Sequence, residues 1–312
     1  MNLPLNRLAE LGNGSSHPSD SPHRFPDGGA WRIEIPSVEG PQALAAVLEE
    51  AARLEVPIHR ISQGSGVMML RDEEIAEILD LARSANVEVC LFLGPRGTWD
   101  IGAGVNSPFG GGGPRARGLE QVQYSVRDAQ RAASLDVRNV LVADEGVLWT
   151  LHLMRNAGEL PADMRIKLSV QIGPANPISF QVLAALGADS LNIQGDLTTD
   201  QIAQLRAVSS AAIDLYVEAP DDLGGFVRLY ECNELIRVAA PLYLKFGLRN
   251  APGQYPSGAH LQELAKSTGI ERVRRARLAL DILDREGGPC LPMSPVGDPR
   301  LPVPPRFSEP SA

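Results

Sequence analysis

Three side chains stand out for their type and position: Glu145 in "VLVADEG", Glu218 in "IDLYVEAP" and Lys245 in "PLYLKFGLRN". Each lies in or just beyond a short aliphatic run. Two carboxylates in different surroundings can divide into general acid and general base, because burial raises one pKa while a neighbouring cation lowers the other. A lysine beside Glu218 would keep it ionised as base, nucleophile or ligand. Glu145, next to Asp144, would then be the easier one to protonate. Two choices stay open: Asp144 is either the inward carboxylate or a helix cap, and a Lys245–Glu218 pair is either a structural salt bridge or part of a site.

These residues must be held by something, and the chain repeats one unit that can hold them. "WRIEIPS" precedes the helical "PQALAAVLEEAARLEV", "PIHRISQG" precedes "RDEEIAEILDLARSANV", and the alternation continues to "PLYLKFGLR" and "HLQELAKSTGIERVRRARLALDILDRE". Eight such β–α units, over roughly 255 residues, predict a single closed parallel (β/α)8 barrel of the TIM type. An open doubly wound sheet would carry a Gly-rich turn after its first strand, and "PSVEGP" is not one. The barrel is expected over residues 30–287, with irregular tails at 1–29 and 288–312, the second rich in proline.

In such a barrel one parity of each strand packs under the helices and the other points inward. The aliphatic set Ile33, Ile35, Val140, Val142, Leu168, Val170, Leu191, Ile193, Leu215, Val217, Leu242 and Leu244 is expected to face the helices. The opposite parity then places Arg32, Glu34, Lys167, Ser169, Asp214 and Tyr243 inside, with Lys245 level with Glu218 on the neighbouring strand. Candidate substrate-binding residues follow from the same reading: His59 and Gln63 on strand two, Arg96 after strand three, Gln171, Asn192 and Gln194 on strands five and six, Tyr216 on strand seven and Arg249 beyond strand eight. Barrel interiors are ordinarily filled by branched aliphatics. Charges this numerous must form a network or face a wet pocket.

Composition excludes several classes. The chain has 312 residues and a formal net charge of -9, which argues against nucleic acid as a partner. No apolar run reaches the ~18–20 residues of a membrane span, no signal peptide is read at the start, and a cytoplasmic protein is expected. Three scattered cysteines form neither a disulfide framework nor a metal motif. No cofactor is predicted, although Glu145, Glu218, Asp221 and Asp222 offer hard oxygens that would suit Mg or Mn. Self-association into a homo-oligomer stays open. The long stretch after strand three, with Trp99, Phe109, Arg115 and Arg117, has the glycines of a lid.

At "HRISQGSGVMML", "GADSLNI" and "PLYLKFGLRNAPGQYPSGAHL" the chain resembles the bacterial barrel proteins of the U32 peptidase type, over most of residues 30–285. The resemblance implies a U32-like barrel with a polar site. That family's cysteine signature has no counterpart here, so no catalytic residue is carried over. The expectation is an enzyme, a hydrolase or lyase acting on a small polar, anionic substrate by carboxylate acid/base chemistry. Three alternatives remain: a retaining glycoside hydrolase using Glu145 and Glu218, a non-catalytic ligand-binding or structural barrel, and an Mg- or Mn-dependent lyase or isomerase.

Overall fold

Eight strands close into a parallel ring in sequence order, with the first hydrogen-bonded to the last. They are β1 (Trp31–Pro36), β2 (Arg60–Gln63), β3 (Glu88–Phe92), β4 (Asn139–Val142), β5 (Arg165–Leu168), β6 (Ser190–Asn192), β7 (Ala212–Glu218) and β8 (Leu242–Phe246). The helices between and after them are α1 (Pro41–Arg53), α2 (Asp72–Ala85), α3 (Gly118–Ser134), α4 (Glu145–Asn156), α5 (Pro177–Ala185), α6 (Thr199–Ala207), α7 (Cys232–Ala239) and α8 (Gln262–Arg285). The structure is a computed structural model, and it describes residues 18–94, 115–297 and 300–301. The (β/α)8 barrel expected from the repeat is therefore the fold. None of the described helices is long and apolar enough to cross a membrane.

The helices begin where the sequence supplies caps. The Asp144 carboxylate accepts the N–H of Val147 to start α4, and Asn176 accepts from Ser179 to start α5. Thr198 and Gln201 form a reciprocal capping box on α6. The aliphatic strand faces pack beneath these helices as the alternation predicts, from Ile33 and Ile35 round to Leu242 and Leu244. Val170 departs from that pattern. β5 stops at Leu168, and a 3-10 turn over Val170–Ile172 swings Val170 onto Tyr216 and Ala219.

The N-terminal end of the barrel is plugged by both flanking segments, which composition alone would class as tails. Phe25 packs on Ala212 and Tyr243. The backbone around Pro292–Ser294 runs beside β1, with Ser294 N–H donating to Trp31 O at 3.0 Å. Ser294 and Asp27 accept from the Arg32 guanidinium at 3.0 and 2.7 Å, and Asp27 thereby neutralises a fully buried cation.

Candidate functional site

The middle of the barrel holds a layer of ionised side chains. Glu34 on β1 sits at its centre: Arg60 Nε donates to it at 2.8 Å, Ser62 Oγ at 2.7 Å and Lys167 Nζ at 2.5 Å. Arg60 also binds Asp214 on β7, and Lys167 lies 3.6 Å from the same carboxylate. Burial alone would raise the Glu34 pKa, but the charges of Arg60, Lys167 and Lys245 outweigh it and hold the carboxyl well below the usual range. Burial, reinforced by the Arg60 charge, pushes the Lys167 ammonium well below the ordinary lysine range against the pull of Glu34. Among the described residues this layer gathers two acids, Glu34 and Asp214, with three basic groups, Arg60, Lys167 and Lys245. The next carboxylate, Glu88, is 4.0 Å from Arg60 and is shared with Arg165 at 2.9 Å.

Above that layer the C-terminal ends of the strands open into a cavity of about 360 Å³. Lys245 forms part of its floor and is only 3% exposed. Its ammonium donates to the side-chain carbonyl of Asn192 at 2.7 Å and stands 4.2 Å above the Tyr216 ring. The nearest carboxylate oxygen, on Glu34, is 3.6 Å away, beyond hydrogen-bond range. Ser62 and Ser169 add hydroxyls, and Phe92, Leu141, Val170 and Leu248 give the cavity an apolar body. Small-ligand sites have this make-up: a mostly apolar lining with a few convergent polar groups.

The structure gathers some of the residues expected at a site and disperses others. Lys245, Gln63, Gln171, Asn192 and Tyr216 line the cavity together. Gln63 is tied to the following turn, exchanging hydrogen bonds with Gly66 at 3.0 and 3.3 Å. Gln194 turns to the carbonyls of Val170 and Gly173, outside the cavity lining. Arg96 and the lid-like stretch with Trp99 and Phe109 lie outside the described residues.

Glu218 and Lys245 form no ion pair. A bulge between Tyr216 and Glu218 shifts the β7–β8 register, and it carries the carboxylate away from the barrel axis. Glu218 accepts instead from Arg249 N–H at 3.0 Å and lies 3.3 Å from Arg275 Nε on α8. Glu145 opens α4 on the rim, about half exposed, and pairs with Arg115. The two glutamates thus do not face each other across the cavity, and Asp144 is the helix cap.

His59 belongs to the opposite end, held by Ile33 N–H at 3.1 Å and Ser294 O at 2.8 Å. Strand β2 has too few aliphatics to fix its parity, and the inward residues are Arg60 and Ser62. Arg249 is a rim residue whose guanidinium is engaged by Asp221 at 3.0 Å. Among the described residues no three His, Cys, Asp or Glu side chains, the four carboxylates considered for Mg or Mn included, are grouped to hold a metal ion.

Sequence reasoning missed Arg60, the hub of the charged layer, and Arg272 on the cavity wall. The signal for Arg272 is present in α8. Ala265, Thr268, Gly269, Val273 and Ala276 form a small-residue stripe against the barrel, and Arg272 lies on that stripe at helical spacing. Tyr255, from the segment after β8, lies against Gly64, where a Cβ would come within 2.5 Å of the ring. That close approach needs glycine and sets the cavity wall.

No protein-family model matches the chain, and no curated protein does. Solved structures share its architecture. A candidate fructose-1,6-biphosphate aldolase from Coccidioides immitis superposes with a TM-score of 0.50 at 11% identity, covering 80% of this chain and 89% of that one. The fructose-bisphosphate aldolase of Campylobacter jejuni gives 0.46 at 11% identity over 83% and 91%. The U32 peptidase Mk0906 gives 0.42 at 17% identity over 75% and 98%. What this chain shares with them is the (β/α)8 barrel.

Proposed function

We propose that this barrel is an enzyme acting on a small anionic substrate in the cavity, with Lys245 as the group that meets the reacting carbonyl. The observation that carries this reading is the Lys245 ammonium on the cavity floor, whose hydrogen-bond partner among the described residues is the neutral Asn192 carbonyl and whose nearest carboxylate, Glu34, is 3.6 Å away. An ammonium has three donors. Asn192 takes one and fixes the direction of the others, while Glu34 is too distant to occupy them. A substrate oxygen that gains negative charge during bond cleavage would meet those donors in a water-poor, preorganised setting, which is where such stabilisation is largest. The groups beneath, Arg60 bound to Glu34 and Asp214, are already held in place and need no rearrangement as that charge develops.

The reaction class that suits this is cleavage next to a carbonyl, by hydrolysis or by elimination. Lys245 would supply the proton or polarise the oxygen, in place of a Glu145–Glu218 pair that the fold keeps apart. A turnover screen of small carboxylates and peptides, followed by NMR, tests the reading in three variants. Lys245→Met should cost about 10²–10³-fold in turnover, Lys245→Arg should not restore it, and Glu218→Gln should retain it. Undiminished turnover in Lys245→Met would sink the proposal.

A further inference from the structure

Among the described residues Arg272 is a cation without a counter-ion. It is 3% exposed, lines the cavity, and projects from α8. Its Nη1 reaches Thr268 Oγ1 at 3.2 Å and Ser37 O at 3.5 Å, both neutral acceptors. Its Nε is buried with no hydrogen-bond partner, and among the described residues nothing bonds Nη2. No carboxylate of the described residues lies within 4.0 Å of it. The acids that feel its charge are committed elsewhere: Glu39 holds the N–H groups of Gly64 and Ser65 at 2.6 and 3.1 Å, and Glu218 serves Arg249 and Arg275. Burial depresses the Arg272 pKa, yet a guanidinium stays charged throughout the physiological range. An unpaired buried cation is costly, and retaining one on a cavity wall implies that something else completes it.

The geometry points to a carboxylate-binding subsite at Arg272, and hence to a substrate class: short monocarboxylates carrying a carbonyl or hydroxyl further along the chain. Nη2, to which nothing among the described residues bonds, is the guanidinium nitrogen that can donate a charge-assisted hydrogen bond to a carboxylate oxygen in the cavity, whereas Nε is enclosed by the protein. The apolar lining around Phe92, Leu141 and Leu248 suits a short hydrocarbon body, and Lys245 is the second polar anchor. Asp221 and Asp222 also line the cavity, and their charge disfavours a phosphate dianion more than a monoanion. This subsite rests on the cavity being the substrate site, as proposed above, but it does not depend on what Lys245 does there.

The test uses the full chain and defined probes: 2-oxopentanoate and 4-hydroxybutanoate, the primary amides of both acids, and n-butyl phosphate, with dissociation constants from NMR titration. The acids should bind about 30-fold or more tightly than their amides, the usual scale for losing one partner of a buried charge pair. Arg272→Met should erase that preference, whereas Lys245→Met should weaken acid and amide alike and leave it intact. Phenylglyoxal modification of the wild-type protein, mapped by mass spectrometry, gives an answer without a variant: the acids should protect Arg272.

Equal binding of acid and amide, or a preference surviving in Arg272→Met, overturns the subsite. Failure of both acids to bind or to protect Arg272 does the same. Tighter binding of n-butyl phosphate through Arg272 overturns the carboxylate class. An intact acid preference alongside undiminished turnover in Lys245→Met would sink the catalytic reading while this one stands.

Discussion

At the N-terminal end of the barrel Arg32 is surrounded. Asp27, Ser294 and Tyr243 accept from its guanidinium, and Phe25 lies 3.9 Å from it, ring to cation. At the C-terminal end Arg272 is equally buried and, among the described residues, has only neutral oxygens on one nitrogen. Both side chains have lost their water. The first has recovered its hydration energy from the protein, and the second has not. Local burial is thus a poor guide to role, and the completeness of the partner shell is a better one. The same contrast separates Lys167, held in the middle layer by Glu34, from Lys245, which gives one donor to Asn192 and faces the cavity.

The contrast can be broken by removing partners at each end. Asp27→Ala strands Arg32 and should destabilise the protein by about 3–5 kcal/mol, read by urea denaturation. A loss under about 1 kcal/mol would mean that Arg32 is not closed in as described. The next effect is one of pH. Burial lowers the His59 imidazole to about 4, and its Nδ1 accepts from Ile33 N–H, which requires the neutral ring.

Above pH 6.5 neither folded nor unfolded His59 is charged and the stability is complete. Between pH 6.5 and 4 the unfolded chain takes a proton that the folded one refuses, so stability falls with pH by up to about 3 kcal/mol. His59→Gln removes the titratable ring and should flatten that part of the profile in denaturation at pH 7, 5.5 and 4. An unchanged profile would remove His59 from the plug. Glu34 has the carboxylate sign: its contribution is present above the unfolded value and is lost only as pH falls through a folded pKa held well below the usual range.

At the open end the sign should reverse. Arg272→Met removes an unpaired buried cation, and the ligand-free protein should be unchanged or more stable by about 1 kcal/mol. A loss of several kcal/mol would show that Arg272 is a structural residue. The smallest effect is expected on the rim, where Glu145→Gln disturbs a half-exposed pair with Arg115 and should shift stability by less than about 0.5 kcal/mol.

The barrel was legible because period-2 aliphatics and helical runs recur eight times, and each unit supports the same parallel arrangement. The cavity floor was legible in part, since Asn192, Tyr216 and Lys245 follow strand parity. Misplacement came where parity is locally reset. The bulge at the end of β7 redirected Glu218, the turn after Leu168 redirected Val170, and "PIHRISQG" offers Ile58 and Ile61 on opposite parities, so Arg60 was overlooked. Arg272 was hidden for another reason. Within "ERVRRARLAL" it stands among the exposed Arg274 and the half-buried Arg275 and Arg277, and only its register on the helix sets it apart.

The seam between β1 and β8 has a consequence for biosynthesis. Trp31 pairs with Leu242 and bridges to Met293, so the first strand, whose pairing with β2 is available early, meets its second neighbour only after more than two hundred further residues have been made. At about 5–20 residues per second that is a wait on the order of 10–50 s. Until then Arg32 lacks Ser294, the ring has two open edges, and the cavity lacks the helix that carries Arg272. A nascent chain halted short of β8 would expose strand edges that template aggregation, making the eighth strand the point at which the ring loses its open edges.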